Sequence, residues 1–302
     1  MNNLKAQLDK LYIFEAICRH GTIHKASVEL RLTQPSVSRA LQTLEKAVGM
    51  TLITRGRQGS VPTTAGQLVL RYAKTVLNGA LALREELAHP GDPFQGHIQV
   101  GSYESLAEYL WPDFLINLRK KHPQFKIDIR TSQSNDPYKL LANHDLDILV
   151  DAEPPQKEGF VSYRLYSDKF GVFGKSSSDS SMLAMNYPII YVPHASDHKG
   201  RQLGSILGGA QNSQAHEIHL DSFSTVRRFI LKGAGIGVLP IRLAEADLAA
   251  GRLKWITRNG LPTSGFGSHY ICATILERRV DDPRLKAFLQ ELRAFLNQGK
   301  GL

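Results

Sequence analysis

Residues 22–49, TIHKASVELRLTQPSVSRALQTLEKAVG, constrain this chain more than any other stretch. They read as two short helices joined by a tight turn, the second with polar side chains on its solvent face. A unit of that shape lays one helix in the major groove of DNA. The chain beyond it is too long and too regularly patterned to be an appendage. The sequence therefore reads as a DNA-binding head attached to a separate sensing body.

Leu4, Leu8, Leu11, Tyr12 and Ile17 recur at helical spacing, which predicts a first helix to about His20, ended by Gly21. Ile23, Ala26 and Leu30 face inward on a second helix, and Arg31 and Leu32 make the turn. Thr33 suits an N-cap, with Pro35 in the first turn, where a missing N–H costs little. Val37, Leu41, Leu44 and Val48 then form one apolar stripe. Outside it lie Gln34, Ser36, Ser38, Arg39 and Gln42, with no acid before Glu45. Gln and Arg make bidentate contacts to base edges, and Ser reaches phosphate or base. Each residue taken singly is equally well explained as a polar side chain facing water; the crowding at one helix N-terminus favours DNA.

Residues 50–63, MTLITRGRQGSVPT, suit a short hairpin, the wing of a winged helix-turn-helix, with Arg55 and Arg57 on the DNA backbone or in the minor groove. From Thr64 to about His89 a long helix is expected. Val69, Ala73, Val76, Ala80, Leu83 and Leu87 alternate spacings of four and three, a heptad seam that predicts pairing with a second copy. His89-Pro90-Gly91-Asp92-Pro93 ends it as a linker. Residues 1–90 carry 12 Lys and Arg against 6 Asp and Glu, so most of the formal +9 sits in the first third. That is the footprint a polyanion partner would leave, although mild basicity by itself is common.

These elements resemble the LysR-type family of bacterial transcriptional regulators. The resemblance rests on Ala26, Leu30, the run Thr33-Gln34-Pro35-Ser36-Val37-Ser38, Leu44-Glu45, Gly49, Leu52, Arg55 and Thr63-x-Ala65-Gly66. It departs at Ser27, where a second Ala is usual, and at Ile53, where Phe is common. In the wing, Gln58 takes a usually basic position and Pro62 a usual Leu, so Arg57 is the candidate to replace the missing base. The resemblance implies a DNA-binding set of Thr33, Gln34, Pro35, Ser36, Ser38, Arg39, Gln42, Arg55 and Arg57. It also implies a homodimer through residues 65–88, assembly into a homotetramer, promoter DNA with an interrupted inverted repeat, and RNA polymerase as a further partner.

The body reads as α/β. His97–Gly101, Phe125–Arg130 and Leu146–Val150 are expected strands, with helices at Glu104–Lys121 and Asp136–Asn143 between them. That βαβαβ order predicts a parallel sheet. Short strands at Phe170–Gly174 and Ile189–Val192 follow. A helix is expected at Asp221–Lys232, capped by Asp221 or Ser222, then a strand after Gly233, a helix at Ile241–Ala250, a strand at Ser268–Leu276 and a closing helix at Asp282–Asn297. The glycines of 233–237 come after a helix and before a strand, the reverse of a dinucleotide fingerprint, so they are read as a C-cap and close packing.

This layout is similar to the LysR-type effector domain, whose architecture is that of a periplasmic binding protein. The fold class expected is thus an N-terminal winged helix-turn-helix (1–63), a linker helix (64–89) and a two-lobed α/β effector domain (90–302). Lobe one would be 94–163 plus 268–302, and lobe two 164–267. A ligand cleft would lie at strand C-termini and helix N-termini. Its candidate lining is Ser102, Tyr103, Glu104, Thr131, Ser132, Ser222 and Phe223, with His194 and Arg201 on one wall. Ser102, Ser132 and Ser222 would donate to a carboxylate or phosphate, so a small organic anion is the preferred effector; for Ser222, plain N-capping serves equally well. Ser102 and Ser132 also match effector-contacting positions of the family.

His194, His198, His216 and His219 have spacings that could ligate zinc, but acidic and cysteine partners are sparse and surface loops account for them better. Cys18 and Cys272 form no disulfide framework and no thiol-sensor pair. No G-x-S-x-G, P-loop or H-E-x-x-H occurs, so an enzyme has no nucleophile to name and no cofactor is implied. Without a leader or a membrane-length apolar run, the chain is expected to be cytoplasmic. The alternative from another class is a solute-binding module whose basic head coats DNA of any sequence.

Overall fold

Leu11, Phe14, Ala16 and Ile17 share one face of the first helix, α1 (Leu8–His20), and all are buried. Burying each larger side chain stabilises the fold by about 1.5–3 kcal/mol. The helix stops at Gly21, whose left-handed φ of 69° returns its N–H to the Ile17 carbonyl. Thr22 caps α2 (Ile23–Leu30) by accepting from the Lys25 N–H, and Arg31 ends it in the left-handed region. Thr33 caps α3 (Gln34–Val48) through the Ser36 N–H, and Val37, Leu41 and Leu44 face the core. Ser27, where alanine is usual in the resembled family, is buried; its hydroxyl donates to the His24 carbonyl at 2.8 Å, so the extra polar atom is satisfied. Ile53 fills the same core.

The hairpin β1 (Ile53–Gly56) and β2 (Gly59–Pro62) pairs Ile53 with Pro62 and Arg55 with Ser60. Two contacts fix it. Glu45 turns back to accept from the Leu52 N–H at 2.8 Å, and the Ser60 N–H donates to the Gly21 carbonyl at 2.6 Å. Helix α4 (Thr64–Ala88) starts on a tight approach: a Cβ at Gly66 would stand 2.1 Å from the Leu52 carbonyl oxygen. Thr63 caps that start, accepting from the Gly66 N–H and donating to the Thr51 carbonyl. These local demands account for Thr63 and Gly66 in the sequence.

The computed structural model describes residues 7–56, 59–88, 91–131, 136–177, 188–193, 217–256 and 264–298. They form two units, Met1–His97 with Asp136–Asp147, and Ile98–Asn135 with Ile148–Leu302. The heptad seam of α4 divides. Ala73 is fully buried in the head core, and Val69 packs against it. Leu83 and Leu87 are 56% and 71% exposed. The first half of the seam is thus occupied by the chain's own head, and only the later half is open to a second copy.

In the second unit, β3 (His97–Ser102) runs parallel to β5 (Ile148–Ala152), as the βαβ pattern requires. The helix expected over 104–121 is two helices, α5 (Glu104–Tyr109) and α6 (Trp111–Lys121). Pro112 lacks an N–H and its ring opposes the carbonyl four residues back, which breaks the helix at Leu110. Leu106, Leu110, Phe114 and Leu118 are all buried. β4 (Lys126–Arg130) lies beside β3.

The larger difference is β6 (Phe160–Lys175), far longer than the strand expected at 170–174. It pairs antiparallel with β11 (Phe266–Leu276) from Phe160↔Leu276 to Phe170↔Phe266. Residues 160–168 are mostly half-exposed, so ladder hydrogen bonds hold them and no apolar run announces them. The described strands from β3 onward join in one sheet ordered β4-β3-β5-β11-β6-β9-β7-β8, where β7 is Ile189–Tyr191, β8 Glu217–His219 and β9 Ile236–Pro240; β10 (Leu253–Trp255) pairs with β6. α8 (Phe223–Lys232) is capped by Ser222 and closed by left-handed Gly233. A Cβ at Gly237 would stand 2.5 Å from the Ile230 side chain, so this glycine does serve close packing. α9 (Ile241–Ala249) and α10 (Pro283–Gln298) complete the unit. Trp111 stacks on Phe288 and both meet Phe114 edge-on in one core, and Phe173, Val226, Ile230 and Leu239 form another.

Candidate nucleic-acid interface and ligand cleft

The α3 stripe buries one side of that helix, and its period turns the other side outward. Thr33, Gln34, Pro35, Ser36, Arg39 and Gln42 are exposed, and Ser38 is half-buried. Thr33 and Ser36 hydroxyls meet at 2.8 Å, Gln34 Nε2 contacts His24 Nδ1 at 3.0 Å, and Arg39 Nε donates weakly to the Pro35 carbonyl. The face is thus pre-arranged but not consumed. Glu45, the first acid after the cluster, spends its Oε1 on the Leu52 and Ile53 N–H groups and so is drawn to the wing. Thr43 and Lys46 are exposed in the same helix and extend the polar face. Their distance of four and seven residues from Arg39 was the signal for them. Arg55 lies in β1 opposite Ser60. Arg57 and Gln58 lie outside the described residues.

In the second unit, Ser102 ends β3 and is buried. Its hydroxyl accepts from Trp111 Nε1 at 2.8 Å and donates to the Tyr103 carbonyl. Tyr103 and Glu104 are exposed at the start of α5, and Thr131 is exposed just after β4. Ser222, 118 residues further along the chain, donates to Glu104 Oε2 at 2.6 Å while capping α8. Phe223 leans on Phe170, ring centroids 5.8 Å apart. Ser222 and Glu104 are therefore brought together, whereas Ser102 is held by Trp111. Ser132, His194 and Arg201 lie outside the described residues.

One short helix, α5, makes three such connections. Besides Glu104 to Ser222, Glu108 accepts from Arg227 Nη1 at 3.0 Å and the Tyr109 and Tyr166 hydroxyls meet at 2.7 Å. Arg227 Nε also donates to Asp247 at 2.5 Å, and Arg252 Nε reaches the same carboxylate at 2.6 Å. Burial opposes ionisation of Asp247, but the two guanidinium groups prevail and hold its pKa below the ordinary carboxylate value. Sequence reasoning missed Glu108, Tyr109, Tyr166, Arg227 and Asp247, because nothing local to any of them points to partners so distant in the chain. A groove of about 550 Å³ opens near α5, α6 and α9, lined by Glu108, Tyr109, Arg227, Arg242, Glu245 and Phe295 among others; none of the expected ligand residues lines it.

The remaining candidates are quiet. Burial and nearby Glu15 push the Cys18 thiol up to about 12, and burial also raises Cys272, so neither forms a ready thiolate. No group of three metal-ligating side chains occurs among the described residues. His194, His198 and His216 lie outside them, and His219 contacts Glu217 at 3.0 Å. No helix among the described residues is long and apolar enough to cross a membrane.

Two family models match the chain. Residues 8–67 match the family described as bacterial regulatory helix-turn-helix protein, lysR family, and residues 91–297 match the LysR substrate binding domain. A probable HTH-type transcriptional regulator LrrA of Synechococcus elongatus is 26% identical over 292 residues, covering 95% of this chain and 96% of the relative. A probable RuBisCO transcriptional regulator of Chlorokybus atmophyticus is 31% identical over 154 residues, about half of either protein at 50% and 48%. Among solved structures, a full-length OxyR variant from Pseudomonas aeruginosa shares the fold, with a TM-score of 0.67 at 20% identity over 96% of this chain and 94% of that one.

Proposed function

Because the chain belongs to the LysR family of transcriptional regulators, we propose that the outward face of α3 reads an interrupted inverted repeat near a promoter while a small molecule between the lobes sets the response. The chain is a DNA-binding transcriptional regulator with an effector-binding domain, not an enzyme. In this reading Gln34, Ser36, Ser38, Arg39 and Gln42 meet base edges, Thr33 and Pro35 set the helix start, and Arg55 and Arg57 hold the backbone or minor groove. Two copies pair through the later part of the 65–88 seam, where Leu83 and Leu87 remain exposed, and pairs of dimers make a tetramer. RNA polymerase is the further partner and the cytoplasm the compartment.

The effector is read as a small organic anion held by Thr131, Ser132 and Ser222 with the α8 amides, joined by Ser102 only if its hydroxyl turns from the Tyr103 carbonyl, and flanked by Tyr103, Phe223, His194 and Arg201. Glu104 already occupies Ser222. An anion reaches that hydroxyl only by displacing a carboxylate, so binding would release one of the three α5 connections. That couples ligand to lobe packing and, through the linker, to head spacing and DNA bend.

The observation that carries sequence-specific reading is the exposed α3 face, whose first acid, Glu45, is engaged by the wing. The test is a footprint on DNA immediately upstream of this chain's own gene at physiological salt. Two protected half-sites are expected. Uniform, steeply salt-dependent coating with no boundaries would instead establish a solute-binding module with a non-specific head.

A further inference from the structure

Helix α4 is held on two sides at the same turn. Ala73 is buried against the head, and the next two residues are taken by the segment that follows α7 (Pro137–Ala142, counting along the chain). Lys74 forms an ion pair with Asp145, and Thr75 Oγ1 lies 2.8 Å from His144 Nε2. The Thr75 hydroxyl spends its proton on the Arg71 carbonyl at 3.0 Å. With its proton there, it accepts from His144 Nε2–H.

The two grips differ in kind. The head side is apolar and closed. The other side is polar and partly open to water, the sort of ion pair that contributes little net stability and exchanges easily. His144 is buried at 8% exposure with φ at +58°, a left-handed backbone that a β-carbon disfavours. That backbone closes the C-terminus of α7, with the Asp145 N–H on the Leu140 carbonyl, so the ring is held in place while the partly open ion pair beside it remains the weaker grip on α4. Its position also matters. Asp145 lies three residues before β5, and β5 belongs to the unit with the candidate cleft.

We propose that His144 and Asp145 form a releasable clasp on the linker helix, through which the ligand-binding part of the chain sets the head on DNA. This rests on the regulator reading above. Clasp closed, the turn of α4 at Lys74 and Thr75 is tied to the body's chain; clasp open, α4 and the head move free of it.

The test uses the full-length protein, with Thr75→Val, which keeps the shape and removes the acceptor, and the charge reversals Lys74→Glu, Asp145→Lys and both together. In the free protein, amide hydrogen exchange at 140–147 and 71–78 should quicken by about threefold or more in Thr75→Val and in each single reversal, and return to within about twofold of the parent in the double reversal. On upstream DNA, the singles should alter the protected length or bend, and the double reversal should restore it. Unchanged exchange in Thr75→Val, or a double reversal no slower than the singles, overturns the clasp. Faster exchange with an unaltered footprint overturns its link to the head. A parent protein that gives no footprint counts against the regulator reading, while the exchange result still decides whether the clasp exists.

Discussion

Thr33, Gln34 and Arg39 of the head find their hydrogen-bond partners three, ten and four residues away. Glu104, Glu108 and Tyr109 of the body find theirs at separations of 118, 119 and 57. The head's candidate DNA face is thus assembled by contacts that form with the helices themselves. The body's polar contacts exist only once distant strands and helices have closed on one another, and each costs loop entropy before it contributes. The first arrangement suits a rigid reader of DNA. The second suits a sensor, because contacts conditional on packing are the ones a ligand can unmake.

The sharpest way to break the comparison is at Asp247, which is 0% exposed and serves two arginines. Asp247→Ala leaves Arg227 and Arg252 without their shared acceptor and should destabilise the body by about 3 kcal/mol. Both tryptophans, Trp111 and Trp255, lie in the body, so fluorescence during urea unfolding reads that unit. A loss below about 1 kcal/mol would mean that the long-range contacts are incidental to body stability.

Asp168 sharpens the same point with opposite sign. It sits buried in β6, with one oxygen on the Lys169 N–H and the other without a hydrogen-bond partner among the described residues. Burial pushes its pKa up to about 6, against the opposing pull of the Lys169 N–H and Arg242. Between the ordinary carboxylate value and 6 the folded chain therefore holds a proton that the unfolded chain has lost. Stability falls as pH rises through that window, and the cost is complete above it. Asp168→Asn should then gain about 2 kcal/mol at pH 7.5 and close to nothing at pH 4, measured by the same unfolding curves. An equal effect at both pH values would show that packing, not ionisation, decides it.

Legibility in the sequence follows the same divide. The α3 cap at Thr33, the stripe of Val37, Leu41 and Leu44, and the stops at Gly21 and Gly233 are set by neighbours and could be read directly. Pro112 was visible too, yet the apolar period through Leu110 and Phe114 outweighed it, and the helix break was missed. Residues 160–169 carry charge and aromatic side chains in a half-exposed ribbon, so only pairing with β11 makes them a strand. β8 and β10, three residues each, give no periodicity at all. The seam of α4 had the right spacing but two destinations, since a heptad pattern does not say whether Ala73 meets a second copy or its own α1. Glu104 and Ser222 were each picked out by position, but their contact belongs to the folded chain alone.

The smallest expected effect lies on the head and tests whether local order translates into reading. Arg39 is exposed, and among the described residues its side chain makes only the weak hydrogen bond to Pro35 at 3.4 Å, so removing it should leave the fold intact. Arg39→Ala is expected to weaken binding to the upstream half-sites by about 1.5 kcal/mol, roughly tenfold, and to relax preference at one base position. Competition between upstream and random DNA at fixed salt separates two roles that affinity alone confuses. A base contact lowers the ratio of the two affinities, whereas a phosphate contact lowers both affinities together and reduces the salt slope by about one. An unchanged ratio would move Arg39 from base reader to anchor. The reading of sequence would then fall to Gln34, Ser36, Ser38 and Gln42 of the same helix.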